Sequence, residues 1–240
     1  MSQSLLDKRE TRIRRMFGAI APRYDLLNHL LSLNIDHYWR WRVTRRVPPQ
    51  GDGPILDICT GTGDLALAYA RRTAAPIIGG DFCHEMLVIA ARKVQRAQPR
   101  SVIRFVEMDA QCLPFPDDYF QITTVAFGLR NITDTDRGLA EMVRVTQSGG
   151  HVAILEFSQP RGWLFGKIYR FYFRHVLPRV GQLISRSPDQ AYRYLPASVL
   201  EFPDGEALAE RLRQHGLTEV HWYPLTFGIA TLYVGRKPTV

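Results

Sequence analysis

The chain of 240 residues predicts one α/β domain built on a mostly parallel sheet with helices on both faces. Two patterns lead to this fold class. Short apolar runs alternate with stretches of helical periodicity, and the links between them are short. The composition agrees, since 45% of the residues are hydrophobic and 22% are charged, as in a globular domain with a substantial core.

Seven segments of the alternating part have the character of strands. They lie at 53–59, 76–80, 102–108, 119–126, 151–157, 217–223 and 229–234. The link between the last two is short enough for an antiparallel hairpin. Helices are expected at 64–72 and 84–98. A third helix should run to Gln147, with Asp134 as its cap and Gly149 and Gly150 ending it. A fourth should run to His215, with Asp204 as its cap and Gly216 closing it.

A glycine-rich turn joins the first strand to the first of these helices. Gly61, Gly63 and Ala66 follow the pattern GxGxxA, and Asp81 ends the next strand 20 residues after Gly61. Such glycines let the backbone approach a ligand closely, and the carboxylate accepts hydrogen bonds from both ribose hydroxyls. The pattern predicts a cofactor that contains a nucleoside.

The charge around this turn favours one cofactor over another. A nicotinamide dinucleotide would place an anionic pyrophosphate over the turn. Asp57 and Asp64 flank the turn, and their carboxylates would repel a pyrophosphate but suit a ligand that carries an ammonium and a sulfonium. S-adenosylmethionine has both groups and no phosphate. Asp109 and Ala110, just after the third strand, are placed to bracket its adenine.

The net charge of +8 is concentrated in two segments. Residues 1–50 carry ten Lys or Arg against four Asp or Glu, and residues 161–193 carry seven against one. This excess of positive charge indicates that these segments contact an anionic partner, or else it only keeps the protein soluble. We expect one domain that comprises an N-terminal helical cap (1–50), a cofactor-binding core (51–160), a substrate-cap insertion (161–203), and a C-terminal helix and strand hairpin (204–240).

Several classes of protein are disfavoured. Cys59, Cys83 and Cys112 have neither CxxC nor His-paired spacing, so we expect no disulfide framework and no metal site. No run approaches eighteen uninterrupted apolar residues, and the first residues are polar or charged. A transmembrane helix and a secretory signal are therefore not expected, and a cytoplasmic location is predicted.

A set of motifs along the chain occurs together in one known family. They are YDLLN at 24–28, LD at 56–57 followed by GTGDL at 61–65, LPFPD at 113–117, FGLRN at 127–131, LEFS at 155–158 and YRYL at 192–195. From about residue 16 onward, the chain resembles the ubiquinone/menaquinone biosynthesis C-methyltransferases. The glycine turn is common to class I methyltransferases in general, whereas YDLLN at 24–28 and FGLRN at 127–131 are much narrower and carry the specific resemblance.

The resemblance implies a class I, S-adenosylmethionine-dependent methyltransferase fold. In this fold a Rossmann-like, seven-stranded, mostly parallel sheet carries a helical substrate cap. The resemblance also implies cofactor contacts at Thr62, Asp81, Asp109 and Ala110, in agreement with the charge argument. Ala126 stands where the family usually has Ser. The expected cofactor-binding residues are Asp57, Gly61, Thr62, Gly63, Asp81, Asp109, Ala110 and Ala126.

The implied reaction is methylation of a ring carbon of a polyprenyl quinol. That carbon becomes nucleophilic when the adjacent hydroxyl ionises, which at pH 7 costs about 4 kcal/mol if tyrosine is the analogue. A guanidinium about 4 Å from the oxyanion would offset about 4 kcal/mol at a dielectric near 20. Arg130 is expected to supply this charge and Asn131 to orient the hydroxyl or a water. The expected substrate contacts are Tyr24, Asp25, Asn28 and His175, with water, Asp25 or His175 accepting the proton.

A polyprenyl tail calls for an apolar channel that opens to a membrane. Apolar and aromatic residues interleaved with basic residues at 163–179 fit a peripheral contact with an anionic membrane, or a helix packed on the sheet with solvated arginines. Two rival functions remain open. One is a methyltransferase acting on RNA or another small molecule, which the pI of about 9.7 motivates although no RNA-binding module is visible. The other is a non-catalytic methyltransferase-like binding protein. No nucleic-acid partner is expected, and naphthoquinol and benzoquinol substrates are not distinguished.

Overall fold

The computed structural model describes residues 8–160, 166 and 191–239. The strands are β1 (Ile55–Ile58), β2 (Ile77–Asp81), β3 (Ile103–Glu107), β4 (Phe120–Ala126), β5 (Thr146–Phe157), β6 (Thr218–Leu225) and β7 (Ala230–Arg236). The α-helices with described bounds are α1 (Glu10–Ile20), α2 (Tyr24–Leu31), α3 (Ile35–Arg46), α4 (Asp64–Ala70), α5 (His84–Ala97), α6 (Thr135–Val145), α7 (Ala191–Glu201) and α8 (Glu206–Gln214).

The seven strands form one sheet in the order β3-β2-β1-β4-β5-β7-β6. The first five strands in this order pair in parallel, and β7 pairs antiparallel with both β5 and β6. The predicted mostly parallel sheet and its terminal hairpin are confirmed. From β1 the chain continues to β2 and β3 on one side of the sheet, and β4 then lies on the other side of β1. In open α/β sheets, ligands bind at the carboxyl ends of the strands where strand order reverses in this way.

Helices cover both faces of the sheet. On one face, α6 and α8 bury Leu139 and Leu212 in an apolar cluster with strand residues. On the other face, α3 and α4 bury Trp39 and Tyr69 in a second cluster. Although α3 belongs to the segment 1–50, it packs directly on the sheet. The apolar periodicity of α6 and α8 is therefore explained by burial against strands.

A third apolar cluster lies among α1, α2 and α7. It contains Ile13, Met16, Leu27, Tyr194 and Val199, all of which are buried. These three helices thus pack on one another, with Tyr194 and Val199 contributed from 150 or more residues further along the chain. His175 and most of the stretch 163–179 predicted to contact a membrane lie outside the described residues.

The helix after β4 begins as predicted but ends earlier. Asp134 caps α6, because its carboxylate accepts a hydrogen bond from the Arg137 N–H at 3.1 Å. The prediction that this helix continues to Gln147 is wrong. Thr146 is extended and its hydroxyl donates to the Met142 carbonyl, so β5 begins there. Gly149, which was expected to end the helix, has φ +77° inside β5, where the pairing with β4 shifts register.

The last helix ends as predicted but is not capped as predicted. Gly205 precedes α8, and no side chain caps it. The Asp204 carboxylate instead accepts a hydrogen bond from the Gln159 N–H at 2.8 Å, a contact between segments far apart in sequence. Gly216 closes the helix with φ +86°, a left-handed conformation that glycine adopts without strain. Within the described residues, no helix combines the length and apolar character needed to cross a bilayer.

Two tryptophans on α3 provide a test of this packing. Trp39 is 2% exposed and its indole N–H donates to the Thr226 hydroxyl at 2.7 Å, whereas Trp41 is 46% exposed. We expect Trp39→Ala to lower the free energy of unfolding by about 3–5 kcal/mol, because it leaves a cavity against the sheet. The matched control, Trp41→Ala, should change it by less than about 1 kcal/mol. Urea unfolding measures both values, and similar losses would contradict the assignment of α3 to the sheet layer.

Candidate functional site

Two adjoining cavities lie at the carboxyl ends of β1, β2 and β4. They enclose about 440 and 390 Å³ of empty space that is open to solvent. The residues that line both are Cys59, Asp81, Phe82, Gly128 and Asn131. The two cavities are therefore compartments of one cleft, at the place where strand order in the sheet reverses.

The two compartments differ in chemical character. The first, called the acidic cavity, has Glu10, Asp81 and Asp109 among its lining residues. The second, called the aromatic cavity, has Phe17, Tyr24 and Phe127 in its wall, and Gly61 and Ala126 also line it. Carboxylates are thus more numerous in the first compartment and aromatic rings in the second, although Asp81 and Phe82 line both.

The glycine turn forms part of the cleft wall. Gly61 and Gly63 have φ values of +55° and +81°, which side chains other than glycine adopt with strain. At Gly63 a Cβ atom would also lie 3.1 Å from the Phe105 ring. The two glycines therefore have different uses: Gly61 faces the aromatic cavity beside Tyr24, and Gly63 allows α4 to pack closely against β3.

Asp81 holds the glycine turn in place from the end of β2. One carboxylate oxygen accepts a hydrogen bond from the Gly61 N–H at 2.8 Å, and the other accepts from the Cys83 N–H at 2.9 Å. Burial raises the pKa of Asp81 to about 6, and these backbone donors act in the opposite direction. Because each carboxylate oxygen has further lone pairs, Asp81 can still accept hydrogen bonds from ligand hydroxyls in the cleft.

Asp57 lies beneath the turn and is not among the residues that line the two cavities. It is 1% exposed, and its Oδ2 atom accepts a hydrogen bond from the Thr60 hydroxyl at 2.6 Å. Oδ1 has no hydrogen-bond partner in the described part of the protein. Burial raises the pKa of Asp57 to about 7. The geometry thus places this carboxylate behind the turn, where it acts on a ligand only through the backbone.

Asp109 and Ala110 lie where the sequence predicts them, in the wall of the acidic cavity. The Asp109 carboxylate also accepts hydrogen bonds from the backbone and side-chain N–H groups of Gln111, at 2.9 and 3.0 Å. It therefore stabilises a local turn as well. Glu10 of α1 completes this wall, and nothing in its sequence neighbourhood distinguished it from an ordinary residue at a helix start.

The charge argument from Asp64 is corrected by the structure. The Asp64 carboxylate forms an ion pair with Lys93 and lies 3.6 Å from the Arg40 guanidinium. These cations hold its pKa below the usual range. Since Asp64 is already paired, the negative charge that faces the cleft comes from Asp81, Asp109 and Glu10 instead.

Asp25 and Thr62 bind each other. The Thr62 hydroxyl donates to one Asp25 oxygen, and the Lys93 ammonium donates to the other at 2.8 Å. Neither residue is among those lining the cavities, and Thr62 is 2% exposed. The geometry does not support Asp25 as the acceptor of a substrate proton, because it lines neither cavity and its carboxylate forms an ion pair with Lys93. The contact instead joins α2 to the glycine turn.

Asn131 lines both cavities, whereas Arg130 is buried behind them. The Arg130 guanidinium forms an ion pair with Glu156, with Nη1 at 2.9 and 3.1 Å from the two carboxylate oxygens. The two residues are 5% and 1% exposed. Because Glu156 is bound to it, the guanidinium offers a quinol oxyanion less stabilisation than an isolated cation would. Glu156 is the last residue but one of β5, and its place in the LEFS motif is the only feature of the sequence that points to it.

Tyr24 and Asn28 lie one turn apart on α2. Tyr24 lines the aromatic cavity, and a hydrogen bond joins the two side chains. Burial raises the pKa of Tyr24. Tyr24 also packs edge-on against Phe17, with ring centroids 6.1 Å apart. Of the predicted substrate contacts with described positions, Tyr24 lies in the cavity wall and Asn28 supports it.

Two groups of described side chains have a spacing compatible with a metal ion, with possible ligand atoms within 4.8 Å of one another. They are His29, Asp36 and His37, and Asp25, His29 and Asp64. In the second group, Asp25 and Asp64 already form ion pairs with Lys93. The Asp36 carboxylate, however, accepts hydrogen bonds from Arg40, Ser32 and the His29 ring. These contacts, with the Arg40 guanidinium foremost, hold the pKa of Asp36 at about 2. An arginine already supplies the positive charge that a metal ion would bring.

The chain is similar to known methyltransferases over nearly its whole length. The family model described as the ubiE/COQ5 methyltransferase family matches residues 5–237. A ubiquinone/menaquinone biosynthesis C-methyltransferase of Citrifermentans bemidjiense is 46% identical, over 97% of this chain and 99% of that relative. A demethylmenaquinone methyltransferase of Thermus thermophilus is 47% identical, over 93% of this chain and the whole of that relative.

A solved structure with bound cofactor has a similar fold. It is the phosphoethanolamine N-methyltransferase 2 of Haemonchus contortus in complex with S-adenosyl-L-methionine. The TM-score is 0.60 at 16% sequence identity, and the match covers 83% of this chain and 52% of that one. At this identity the similarity concerns the fold alone.

Asp81 offers a test of the cleft through its protonation. We expect Asp81→Asn to weaken the binding of S-adenosylmethionine on the order of tenfold at pH 8, since charge-assisted hydrogen bonds are lost. Because the pKa of Asp81 is raised to about 6, the wild-type carboxylate is protonated below that pH, and the difference between the two proteins should shrink there. Calorimetric titration from pH 5 to 8 measures both affinities.

The comparison between these two proteins isolates Asp81 from Asp57, which titrates in both. Asp52→Asn is the matched control, because Asp52 is an exposed carboxylate just before β1, at the end of that strand opposite the cleft. Its affinity should equal that of the wild type at every pH. A wild-type advantage over Asp81→Asn that persists unchanged at pH 5 would refute the role assigned to the ionised carboxylate.

Proposed function

Because the chain belongs to the ubiE/COQ5 methyltransferase family, we propose that it methylates a ring carbon of a polyprenyl quinol. It is an S-adenosylmethionine-dependent methyltransferase with the class I fold, as the sequence predicted. The family match favours neither the RNA-directed nor the non-catalytic alternative. The relatives' names point to demethylmenaquinol or the corresponding benzoquinol as the acceptor.

The observation that carries this proposal is the pairing of an acidic cavity with an aromatic one. Bound in the acidic cavity, S-adenosylmethionine would supply an electrophilic methyl group on a sulfonium. Asp81 and Asp109 would hold its ribose and adenine in that cavity. Its methionyl part would extend past Gly61 and Ala126, which line the adjoining aromatic cavity, and this would bring the methyl group to the boundary between the two. The aromatic cavity, with Phe17, Tyr24 and Phe127 in its wall, would hold a planar ring beside it.

In methyl transfer to carbon, the ring hydroxyl first loses its proton, and the ring carbon then bonds to the methyl group as the bond from that methyl to sulfur breaks, which would leave S-adenosylhomocysteine. The ring carbon next loses its hydrogen as a proton and the oxygen is protonated again, so one proton is released overall. Asn131 is positioned to act on that hydroxyl, since it lines both cavities. Its Oδ1 atom accepts a hydrogen bond from the Tyr194 hydroxyl at 3.2 Å, and this leaves the amide N–H groups as donors to a developing oxyanion. We propose Arg130 as the second source of positive charge, acting together with Glu156.

The proposed substrate cap consists of α1 and α2 with the insertion 161–203. Tyr24 and Asn28 would contact the quinol, and His175 remains a proposed contact and proton acceptor alongside water. The quinol's polyprenyl tail resides in lipid, so we propose that the enzyme is cytoplasmic and peripheral at the inner face of the membrane. The tail would then enter the aromatic cavity from the bilayer.

The function is tested by supplying the purified protein with S-adenosylmethionine and either demethylmenaquinol or a demethylated ubiquinol precursor. We expect a mass increase of one methylene equivalent in the quinone product of at least one of them, read by mass spectrometry. In cells that lack the protein, accumulation of demethylmenaquinone would identify the naphthoquinol as the substrate. Accumulation of the demethylated ubiquinone precursor would identify the benzoquinol instead. Methylation of neither acceptor would reject the proposal.

The role of Arg130 is tested against its buried partner. We expect Arg130→Gln to lower kcat on the order of 100-fold with little change in the affinity for S-adenosylmethionine, as for the loss of one preorganised oxyanion donor. If the ion pair only stabilised the fold, the double variant Arg130→Gln/Glu156→Gln would remove both charges together and recover activity. We expect the double variant to recover stability but not kcat. Recovery of kcat would assign the pair a structural role alone.

A further inference from the structure

The exposed apolar side chains of this protein are concentrated in one place. Eight large apolar or aromatic side chains are exposed in the described part of the chain, and five of them come from α2, α3 and the turn between them. They are Leu26, Leu30, Leu33, Tyr38 and Trp41, with exposed fractions of 61%, 47%, 76%, 44% and 46%. We call these five residues the α2–α3 ridge. A concentration of exposed apolar side chains of this kind is typical of an interaction site.

The two helices that carry the ridge are joined by a ring contact. Leu26 and Leu30 lie one turn apart on α2, and both are exposed whereas Leu27 is buried. The rings of Tyr38 and Trp41 lie one turn apart on α3, with centroids separated by 5.9 Å. Between the helices, the His29 and His37 rings stack with centroids 4.4 Å apart, which holds the two helices together.

Leu33 forms the tip of the ridge in a costly conformation. Its φ is +53°, in the left-handed region, and it is the most exposed of the five side chains. Asparagine or glycine would adopt this backbone more readily, and both would also be more compatible with water at an exposed turn. A leucine at this position is therefore unfavourable for the free protein in both backbone conformation and solvation.

The charges around the ridge are positive. The two carboxylates within α2 and α3, Asp25 and Asp36, form ion pairs with Lys93 and Arg40. Near the end of α3, Arg45 and Arg46 are exposed, and the Arg45 guanidinium lies 5.6 Å from the centroid of the Trp41 ring. An apolar surface with aromatic residues and arginines at its border is complementary to the headgroup region of an anionic bilayer.

We propose that the α2–α3 ridge docks the enzyme on an anionic lipid bilayer. The inference rests on the proposed function, because a polyprenyl substrate would be drawn from the bilayer. The same helix that presents Leu26 and Leu30 to lipid begins with Tyr24, which lines the aromatic cavity. Docking through this ridge would bring the wall of the aromatic cavity close to the membrane surface. The quinol ring would then have a shorter distance to move from the bilayer into that cavity.

The test removes the two ridge residues nearest the α2–α3 turn. In Leu30→Gln/Leu33→Asn, glutamine keeps the helix propensity of α2 and asparagine tolerates the left-handed backbone. The matched control is Val102→Gln/Tyr119→Gln. It removes two exposed apolar side chains that immediately precede β3 and β4, at the ends of these strands opposite the cleft. Thermal unfolding establishes that both variants remain folded.

The measurement is flotation with vesicles of phosphatidylglycerol and phosphatidylcholine. We expect the wild type and the control to bind the vesicles and the ridge variant to bind at least tenfold more weakly. Vesicles of phosphatidylcholine alone should bind the wild type weakly. Flotation of the ridge variant equal to that of the wild type, or equal losses in both variants, would overturn the proposal.

Activity assays separate this inference from the proposed function. With a quinol that lacks the tail, the ridge variant should have the kcat/KM of the wild type, and with a long-tailed quinol in vesicles it should be at least tenfold slower. If the wild type methylates no quinol, the proposed function fails, and flotation still decides the docking surface. Light scattering that shows a dimer, dissociated by the ridge variant without change in flotation, would assign the ridge to a second copy of the chain and overturn the proposal.

Discussion

The hydrogen bonds of Asp81 to the backbone of Gly61 and Cys83 are the constraint on which the cleft depends. They connect the end of β2 to the turn after β1, so two neighbouring parallel strands present a single surface to a ligand. The cost of burying the carboxylate is visible in its pKa, which rises to about 6. Ligand hydroxyls that donate to this carboxylate would stabilise its ionised form further, so filling the cleft should lower the pKa of Asp81.

A second electrostatic unit joins the N-terminal helices to this turn. Lys93 on α5 binds Asp25 on α2 and Asp64 at the start of α4, and Asp25 also accepts from Thr62 in the glycine turn. Parts of the chain separated by up to 68 residues therefore share one lysine. The substrate side and the cofactor side of the cleft are thus held in a fixed relation before either ligand arrives, which favours alignment of the methyl group with its acceptor.

The sequence predicted what depends on local pattern. The alternation of strands and helices, the glycine spacing and the place of Asp81 and Asp109 follow from periodicity and from the way parallel strands end at one edge. The partners of charged side chains could not be predicted from local pattern. Lys93 binds Asp25, and Glu156 binds Arg130, only because the tertiary fold brings them together. Asp204 shows the same limit: its position favours a helix cap, but a backbone N–H 45 residues earlier in the chain binds it instead.

The buried pair of Arg130 and Glu156 resolves a conflict in the proposed chemistry. An isolated guanidinium would stabilise a quinol oxyanion, yet it would also repel a sulfonium, by about 3 kcal/mol at about 6 Å and an effective dielectric near 20. Glu156 neutralises the pair at long range while Arg130 keeps its other N–H groups as directional donors. A hydrogen-bond donor acts over a shorter distance than a net charge. The pairing would therefore let a cationic methyl donor occupy the cleft with a guanidinium directly behind the cleft wall, without the repulsion that an isolated cation would add.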